Sequence, residues 1–341
     1  MKAILCTAYG PADVLKLVDL PKPSPKADEV LVKVVASSVT FGDCEIRNLT
    51  LPAWTRLPVR MIMGYRKPKH LIPGMEVSGI VETVGAKVSQ FKPGDAIFGS
   101  TGMAMGGNAE YICRPAKAFA KKPDAVSFEH AATITVGGIN ALHFLRMANI
   151  RAGQKVLVIG AGGSIGTWAV LLAKHYGAKV WAVDHNRKLD MLRSIGADHV
   201  VDYMQEDFSS NAIKYDVIFD AVYSSPYARC INSLTDSGYY LMANTGPGRM
   251  LKGVWTELVT RKKVKFALAA ENEPDLSLLA NLIAAGKIKP VIDRIYPLEQ
   301  TMEAHRYVEQ GLKKGSVIID VALRDALDEK SRAQAENLYP A

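Results

Sequence analysis

Cysteine is scarce in this chain and scattered. Cys6, Cys44, Cys113 and Cys230 are all there is among 341 residues. They are far apart and form no C-x-x-C pair, which argues against a disulfide framework and a thiolate zinc site and leaves buried structural thiols. Long apolar runs are missing too. No stretch approaches the ~18 residues needed to cross a bilayer, so no stable membrane insertion is expected. The opening MKAILCTAYG has no charged segment followed by a long apolar core, and a cytoplasmic location is expected. One sign of charge is in excess, at +8, yet Lys and Arg are spread along the chain and the one dense patch is short. Nucleic-acid binding needs a clustered stripe or a recognisable module, so none is expected. The excess serves solubility and draws in small anions.

What is present suits two globular units, by the rough prior of about 150 residues per domain. The first stretch reads as β-rich, with short strands at Val30 to Ala36, Val77 to Val84, Ala96 to Phe98 and Ala109 to Cys113, set off by Gly, Pro and Asp. From Phe128 the pattern changes. A helix over His130 to Met147 precedes strands at Val156 to Ile159, Val180 to Val183, Val200 to Asp202, Val217 to Asp220 and Tyr239 to Ala243. Helices over Ile165 to Tyr176, Arg187 to Ile195 and around Tyr227 to Leu234 fall between them, and the alternation makes a doubly wound sheet. A helix over Leu276 to Ala285 follows. Strands at Val291 to Tyr296 and Ser316 to Val321, with a helix ending near Gln310 between them, do not fit that sheet and are expected to return to the first domain. The last stretch, RDALDEKSRAQAENLYPA, reads as a solvated helix with a frayed end.

The most informative segment is KVLVIGAGGSIG, Lys155 to Gly166. A continuous aliphatic run is what a buried parallel strand requires, and the turn after it needs residues without side chains so that a pyrophosphate can approach the backbone. The helix that opens there directs free N–H groups and the positive end of its dipole at that anion. Gly160, Gly162, Gly163 and Gly166 fit G-x-G-G-x-x-G better than a single G-x-G-x-x-G. A second strand then ends at Asp184, roughly 20 residues beyond the glycines, where a dinucleotide fold puts an acid on the adenosine ribose. Asp184 favours NADH by accepting from a ribose 2′-OH and repelling a 2′-phosphate; His185, Arg187 and Lys188 are placed to clamp that phosphate instead, so NADPH stays open.

With these residues in view the chain resembles the medium-chain dehydrogenase/reductase superfamily, and within it the zinc-independent quinone oxidoreductase and enone reductase branch. The likeness runs through MKAILCTAYGPADVLKL, PGMEVSGIVETVGAKVSQFKPGDAIFG, AATITVGGINALHFL, VLVIGAGGSIGTWAVLLAKHYGA and GLKKGSVIIDV. It implies an α/β protein with a GroES-like β-rich catalytic domain, residues 1–122 and 271–341, a Rossmann doubly wound parallel sheet over 123–270, and an active site in the cleft. Zinc-dependent relatives have a His where Met75 stands in Gly74-Met75-Glu76, and their first Cys ligand aligns with Thr40. A thioether is a poor zinc ligand, so no metal is expected.

Without a Lewis acid, hydride addition to a conjugated C=C or a quinone is the reaction the resemblance favours. The acceptor would be a small hydrophobic carbonyl or quinone. Backbone N–H groups of Ser164 and Ile165 would meet the pyrophosphate, while Thr135, Asn244 and Thr245 would line the nicotinamide pocket. On the substrate side the candidates are Thr40 and Tyr65. Some relatives have a tyrosine where Glu45 stands, so that proton donor does not carry over; Asp43 orders the loop, and no base is visible to activate Cys44. The segment from Asn48 to His70 reads as a lid over an apolar substrate, a membrane-facing lip or a surface loop. A homodimer is implied. Two other readings stay open: a zinc-free alcohol or carbonyl oxidoreductase, and a nucleotide-binding scaffold or stress protein with weak catalysis.

Overall fold

A computed structural model describes residues 1–69, 71–267 and 269–322. The expected helix and frayed end after residue 322, and His70, lie outside the described residues. The chain divides into two compact units. One holds Met1–Ala132, Arg294–Gly311 and residues 317–322; the other holds Thr133–Asp293 and Leu312–Ser316.

The first unit is built on an antiparallel sheet. Its main path runs Ile292–Pro297, Ser316–Asp320, Glu29–Val39, Glu76–Val84, Ala96–Ser100 and Phe119–Lys121, with Tyr111–Pro115 also paired to Glu29–Val39. The late strand Ser316–Asp320 joins this sheet beside Glu29–Val39, with Val317 opposite Val39. Aliphatic residues at alternating positions, Val30, Val32 and Val34 on one strand and Val317 and Ile319 on another, share one core cluster. That two-residue period is what a sheet with one buried face selects.

The second unit is a six-stranded, all-parallel sheet. In space its strands run His199–Asp202, Lys179–Asp184, Lys155–Ile159, Tyr215–Asp220, Leu234–Met242 and Lys263–Lys265. Chain order therefore maps to 3-2-1-4-5-6, and the direction of winding reverses between Lys155–Ile159 and Tyr215–Asp220. Val156, Leu157 and Val158 are fully buried, as an interior parallel strand demands.

Several details differ from the sequence reading. The helix expected over His130 to Met147 is interrupted: Phe128–Ala131 is followed by a π-helical turn, Ile134–Gly138, before Ile139–Met147. The turn carries Gly137 and Gly138 against Trp168, whose Cδ1 would stand 2.5 Å from a Cβ on Gly137. The helix Pro247–Val259 and the strand Lys263–Lys265 have no counterpart in the periodicity. The units also divide at 132/133 and 293/294, whereas the sequence put the junctions at 122/123 and 270/271. The helix Glu273–Ala284 explains the later junction, since it buries Leu276, Leu279 and Ala280 and sets Leu279 against Gly138 of the parallel-sheet unit.

Candidate dinucleotide site

The glycine turn sits at the carboxyl edge of the parallel sheet, beside the reversal in winding, where such sheets take their ligands. Each glycine has its own physical reason. Gly160 has φ +74°, and a Cβ there would meet Val222 Cγ1 at 2.5 Å. A Cβ on Gly162 would strike Lys188 Cδ at 2.4 Å, and one on Gly166 would lie 2.1 Å from the carbonyl oxygen of Gly160. Gly163 is the N-cap of the helix Ser164–His175, and its nearest neighbour would be 3.6 Å away. The turn is pinned by Gly160 and Ala161 N–H groups donating to the Val183 carbonyl at 3.0 and 3.1 Å. Ser164, Ile165 and Gly166 occupy the helix's first turn, whose N–H groups have no acceptor within the helix.

Asp184 ends the neighbouring strand and is buried. Its Oδ2 accepts from the Gly162 N–H at 2.7 Å and its Oδ1 from the His185 N–H at 2.8 Å. Lys188, also buried, pairs with Oδ1 at 3.1 Å. The carboxylate thus braces the turn, and the lysine is committed to it. Arg187 next door is exposed. Among the remaining candidates of this unit, Thr135 is buried in the π-helical turn, Asn244 Nδ2 donates to the Ala221 carbonyl at 2.8 Å, and Thr245 Oγ1 donates to Met242 Sδ at 3.7 Å.

Two groups near the turn escaped the sequence reading. Lys313, buried and 149 residues from its partner, donates from Nζ to Ser164 Oγ at 2.5 Å and to the Gly315 carbonyl at 2.8 Å. The Gly315 N–H in turn donates to the Gly162 carbonyl at 2.9 Å. The segment GLKKGSVIIDV belonged to the resemblance, but nothing in its spacing pointed to the glycine turn. The second is Asp220, fully buried at the end of Tyr215–Asp220. Its Oδ1 accepts from Ser225 Oγ at 2.8 Å and Val222 N–H at 3.1 Å, and its Oδ2 from Tyr240 OH at 2.6 Å and Arg249 at 2.9 Å. Burial pushes this carboxyl upward against the pull of those donors and of the Arg249 charge. The knot holds the loop that carries Val222 onto Gly160.

A shallow concavity of about 480 Å³ lies at the opposite edge of the sheet, lined by Lys214, Asn232, Leu234, Thr235, Asp236 and Lys262. Its two lysines donate to the carbonyls of Asn232 and Ile231, which gives it no counterpart to the glycine cradle.

In the first unit Thr40 caps the helix Phe41–Asn48. Its hydroxyl donates to Asp43 Oδ2 at 2.6 Å and accepts from the Asp43 N–H at 3.1 Å, a capping box. Asp43 Oδ1 accepts from the Gly74 N–H at 2.9 Å, tying the cap to Gly74-Met75-Glu76. Met75 Sδ and Thr40 Oγ1 both lie within 4 Å of where a Cβ on Gly42 would stand. At the two positions that the resemblance marks for zinc ligands, the donors are thus a thioether and a hydroxyl that already donates to a carboxylate. Burial raises the pKa of Glu45 in the same helix. Tyr65 is exposed, with the Arg60 guanidinium 5.7 Å from its ring centre. A base does stand beside Cys44: His305 Nδ1 is 3.4 Å from its Sγ, but both are buried in the core. Burial, helped by the Arg47 charge, pushes His305 down to about 3.

A doubly wound parallel sheet with a glycine cradle at its carboxyl edge, carried in one chain with an antiparallel β domain, defines a dinucleotide-dependent oxidoreductase. Comparison with known proteins gives the family. Residues 26–124 match a family profile described as "Alcohol dehydrogenase GroES-like domain", and residues 195–319 one described as "Zinc-binding dehydrogenase". A 2-methylene-furan-3-one reductase of Solanum lycopersicum is 32% identical over 331 residues, covering 94% of this chain and 79% of the relative. An NADPH-dependent alkenal/one oxidoreductase of Arabidopsis thaliana is 31% identical with the same coverage. The solved quinone oxidoreductase from Coxiella burnetii superposes with a TM-score of 0.84 at 29% identity, over 94% of this chain and 99% of that one. The chain belongs to the medium-chain dehydrogenase/reductase superfamily, in its quinone oxidoreductase branch.

Proposed function

We propose that this chain reduces quinones or the activated C=C of enones, using a nicotinamide dinucleotide held on the Gly160–Gly166 turn. The observation that carries the proposal is the turn itself, where backbone stands in for side chains and leaves room for a diphosphate. Reduced nicotinamide supplies a hydride when bound. The chain's own residues bind and orient. First-turn N–H groups of Ser164, Ile165 and Gly166 meet the diphosphate, and Lys313 adds a positive charge at a helix end that is already positive, an arrangement an anion stabilises. Thr135, Asn244 and Thr245 line the nicotinamide side. Arg187 is the exposed cation near the adenosine end.

The same reading gives NADH the preference over NADPH. The Asp184 carboxylate lies at the turn and neutralises Lys188, so a 2′-phosphate meets an acid without a spare buried lysine. Replacing Asp184 by Ser is expected to shift kcat/KM toward NADPH by about tenfold, the worth of one charge contact; an unchanged ratio removes Asp184 from the choice.

On the substrate side the proposal is zinc-independent, because the donors at Thr40 and Met75 suit hydrogen bonding and packing rather than a cation. A conjugated acceptor spreads the incoming charge onto its own oxygen and needs no Lewis acid. Thr40 keeps its proton on Asp43 and offers only an acceptor edge, whereas Tyr65 carries a phenol able to protonate the enolate. The relatives named above, an enone reductase, an alkenal/one oxidoreductase and a quinone oxidoreductase, support this substrate class. The test follows nicotinamide absorbance with quinones, enones and simple aldehydes, with NADH and NADPH in parallel. Turnover is expected with the first two acceptor classes. Cofactor binding without turnover of any acceptor, or stoichiometric tightly held zinc, overturns the reading.

A homodimer formed through the second unit completes the proposal. Lys263–Lys265 ends the parallel sheet, and the preceding helix exposes Leu251, Val254, Trp255 and Leu258 along one stripe. An edge strand and an apolar helix face side by side are what a two-fold axis covers.

A further inference from the structure

The helix Ala53–Met63 in the first unit presents two unlike faces. Inward, Val59 and Met63 join the core cluster. Outward, Trp54, Leu57, Met61 and Ile62 are 50%, 56%, 69% and 70% exposed, a stripe at helical spacing. Cations rim it. Arg56 and Arg60 are on the helix, and Arg66, Lys67 and Lys69 follow it directly. No Asp or Glu occurs between Glu45 and Glu76. Among the described residues none of these five cations makes a salt bridge: Arg56 Nε donates to the Leu51 carbonyl at 2.7 Å, and Arg60 lies near the Tyr65 ring.

We propose that this helix lies on an anionic lipid surface, with its apolar stripe among the acyl chains and its cations among the headgroups. A basic amphipathic helix seats either on an acidic protein groove or on a membrane surface, and a protein groove offers its acids at a few fixed points. Thirty residues with cations and no acid suit a partner whose charge is of one sign everywhere, which a bilayer containing acidic lipid is. Trp, Leu, Ile and Met on one face with Arg and Lys beside them are the side chains of an interfacial helix. At eleven residues it lies on the surface, and among the described residues no helix is long and apolar enough to cross a membrane. The inference uses none of the chemistry proposed above and stands if that chemistry fails.

The test is co-sedimentation of the full chain with vesicles of phosphatidylcholine alone, or with about one third phosphatidylglycerol, at low and high salt. Partition onto the anionic vesicles is expected to exceed that onto the neutral ones by about tenfold and to fall in high salt, where screening removes the headgroup attraction. Two double variants separate the contributions. Leu57→Ser with Ile62→Ser removes apolar surface, Arg66→Glu with Lys67→Glu reverses charge, and each is expected to cut partition by about tenfold. All four side chains are exposed, and an unchanged melting temperature shows that each variant folds. Equal binding to neutral vesicles, or binding that survives both double variants, overturns the proposal. So does a change of oligomeric state on replacing Leu57 and Ile62, which would mean that a second copy covers the face.

Discussion

The carboxylate of Asp184 and the ammonium of Lys313 show how single residues act at this site. Lys313 stands at the start of the Ser164–His175 helix, where an incoming diphosphate meets both the ammonium and the free N–H groups of the first turn. Lys313→Met is expected to weaken NADH binding by about tenfold, near the low end of what a charge-assisted contact is worth. Titration of nicotinamide fluorescence checks it, and an unchanged affinity removes Lys313 from the site. His305 illustrates the opposite case, a titratable group paired inside the core. Its folded value is pushed down to about 3 against 6.5, so the unfolded chain takes up the proton first as pH falls. Its contribution is whole above pH 6.5 and is lost below it, reaching about 2 kcal/mol at pH 5. Urea unfolding at pH 7 and pH 5 should show that loss in the parent and not in His305→Gln; equal losses in both would exclude His305 as the source.

Among the elements, the strand–turn–helix unit was the most legible part of the chain. VLVI is apolar without a break because its strand is buried on both faces, and the glycines mark contacts no side chain tolerates. Gly166 and Gly163 make that testable. Gly166→Ala sets a Cβ 2.1 Å from the Gly160 carbonyl and is expected to cost about 1–3 kcal/mol and to weaken dinucleotide binding. Gly163→Ala, with its nearest neighbour at 3.6 Å, is expected to leave stability unchanged; equal melting temperatures for both variants would refute the steric account. Other elements were illegible for identifiable reasons. Lys263–Lys265 has one apolar residue in three, too few to show a period, and it is a strand because Leu234–Met242 offers it a ladder. The helix Pro247–Val259 has its apolar stripe facing outward, so its pattern does not say which face belongs to its own unit. The π-helical turn over Ile134–Gly138 answers to Trp168, which arrives 30 residues later.

At the scale of the whole molecule, the outward stripe of Pro247–Val259 carries the last prediction. Trp255→Glu with Leu258→Glu is expected to turn a dimer into monomers, because an interface core does not accept buried unpaired charge. Light scattering after gel filtration reads the mass directly, and a parent that is already monomeric ends the proposal.

By itself the sequence determined the class of this protein: a β-rich domain, a doubly wound sheet and a glycine turn for a dinucleotide, all written in local patterns of period and residue size. Met75 and Thr40, read from their side chains alone, carried the proposal of zinc independence. Only the tertiary structure decided that Asp184 braces Gly162 and neutralises Lys188, that Asp220 knots the loop above Gly160, and that Lys313 stands at the start of the Ser164–His175 helix. Those contacts join residues four to 149 positions apart, and a hydrogen bond or an ion pair leaves no periodic trace in the sequence.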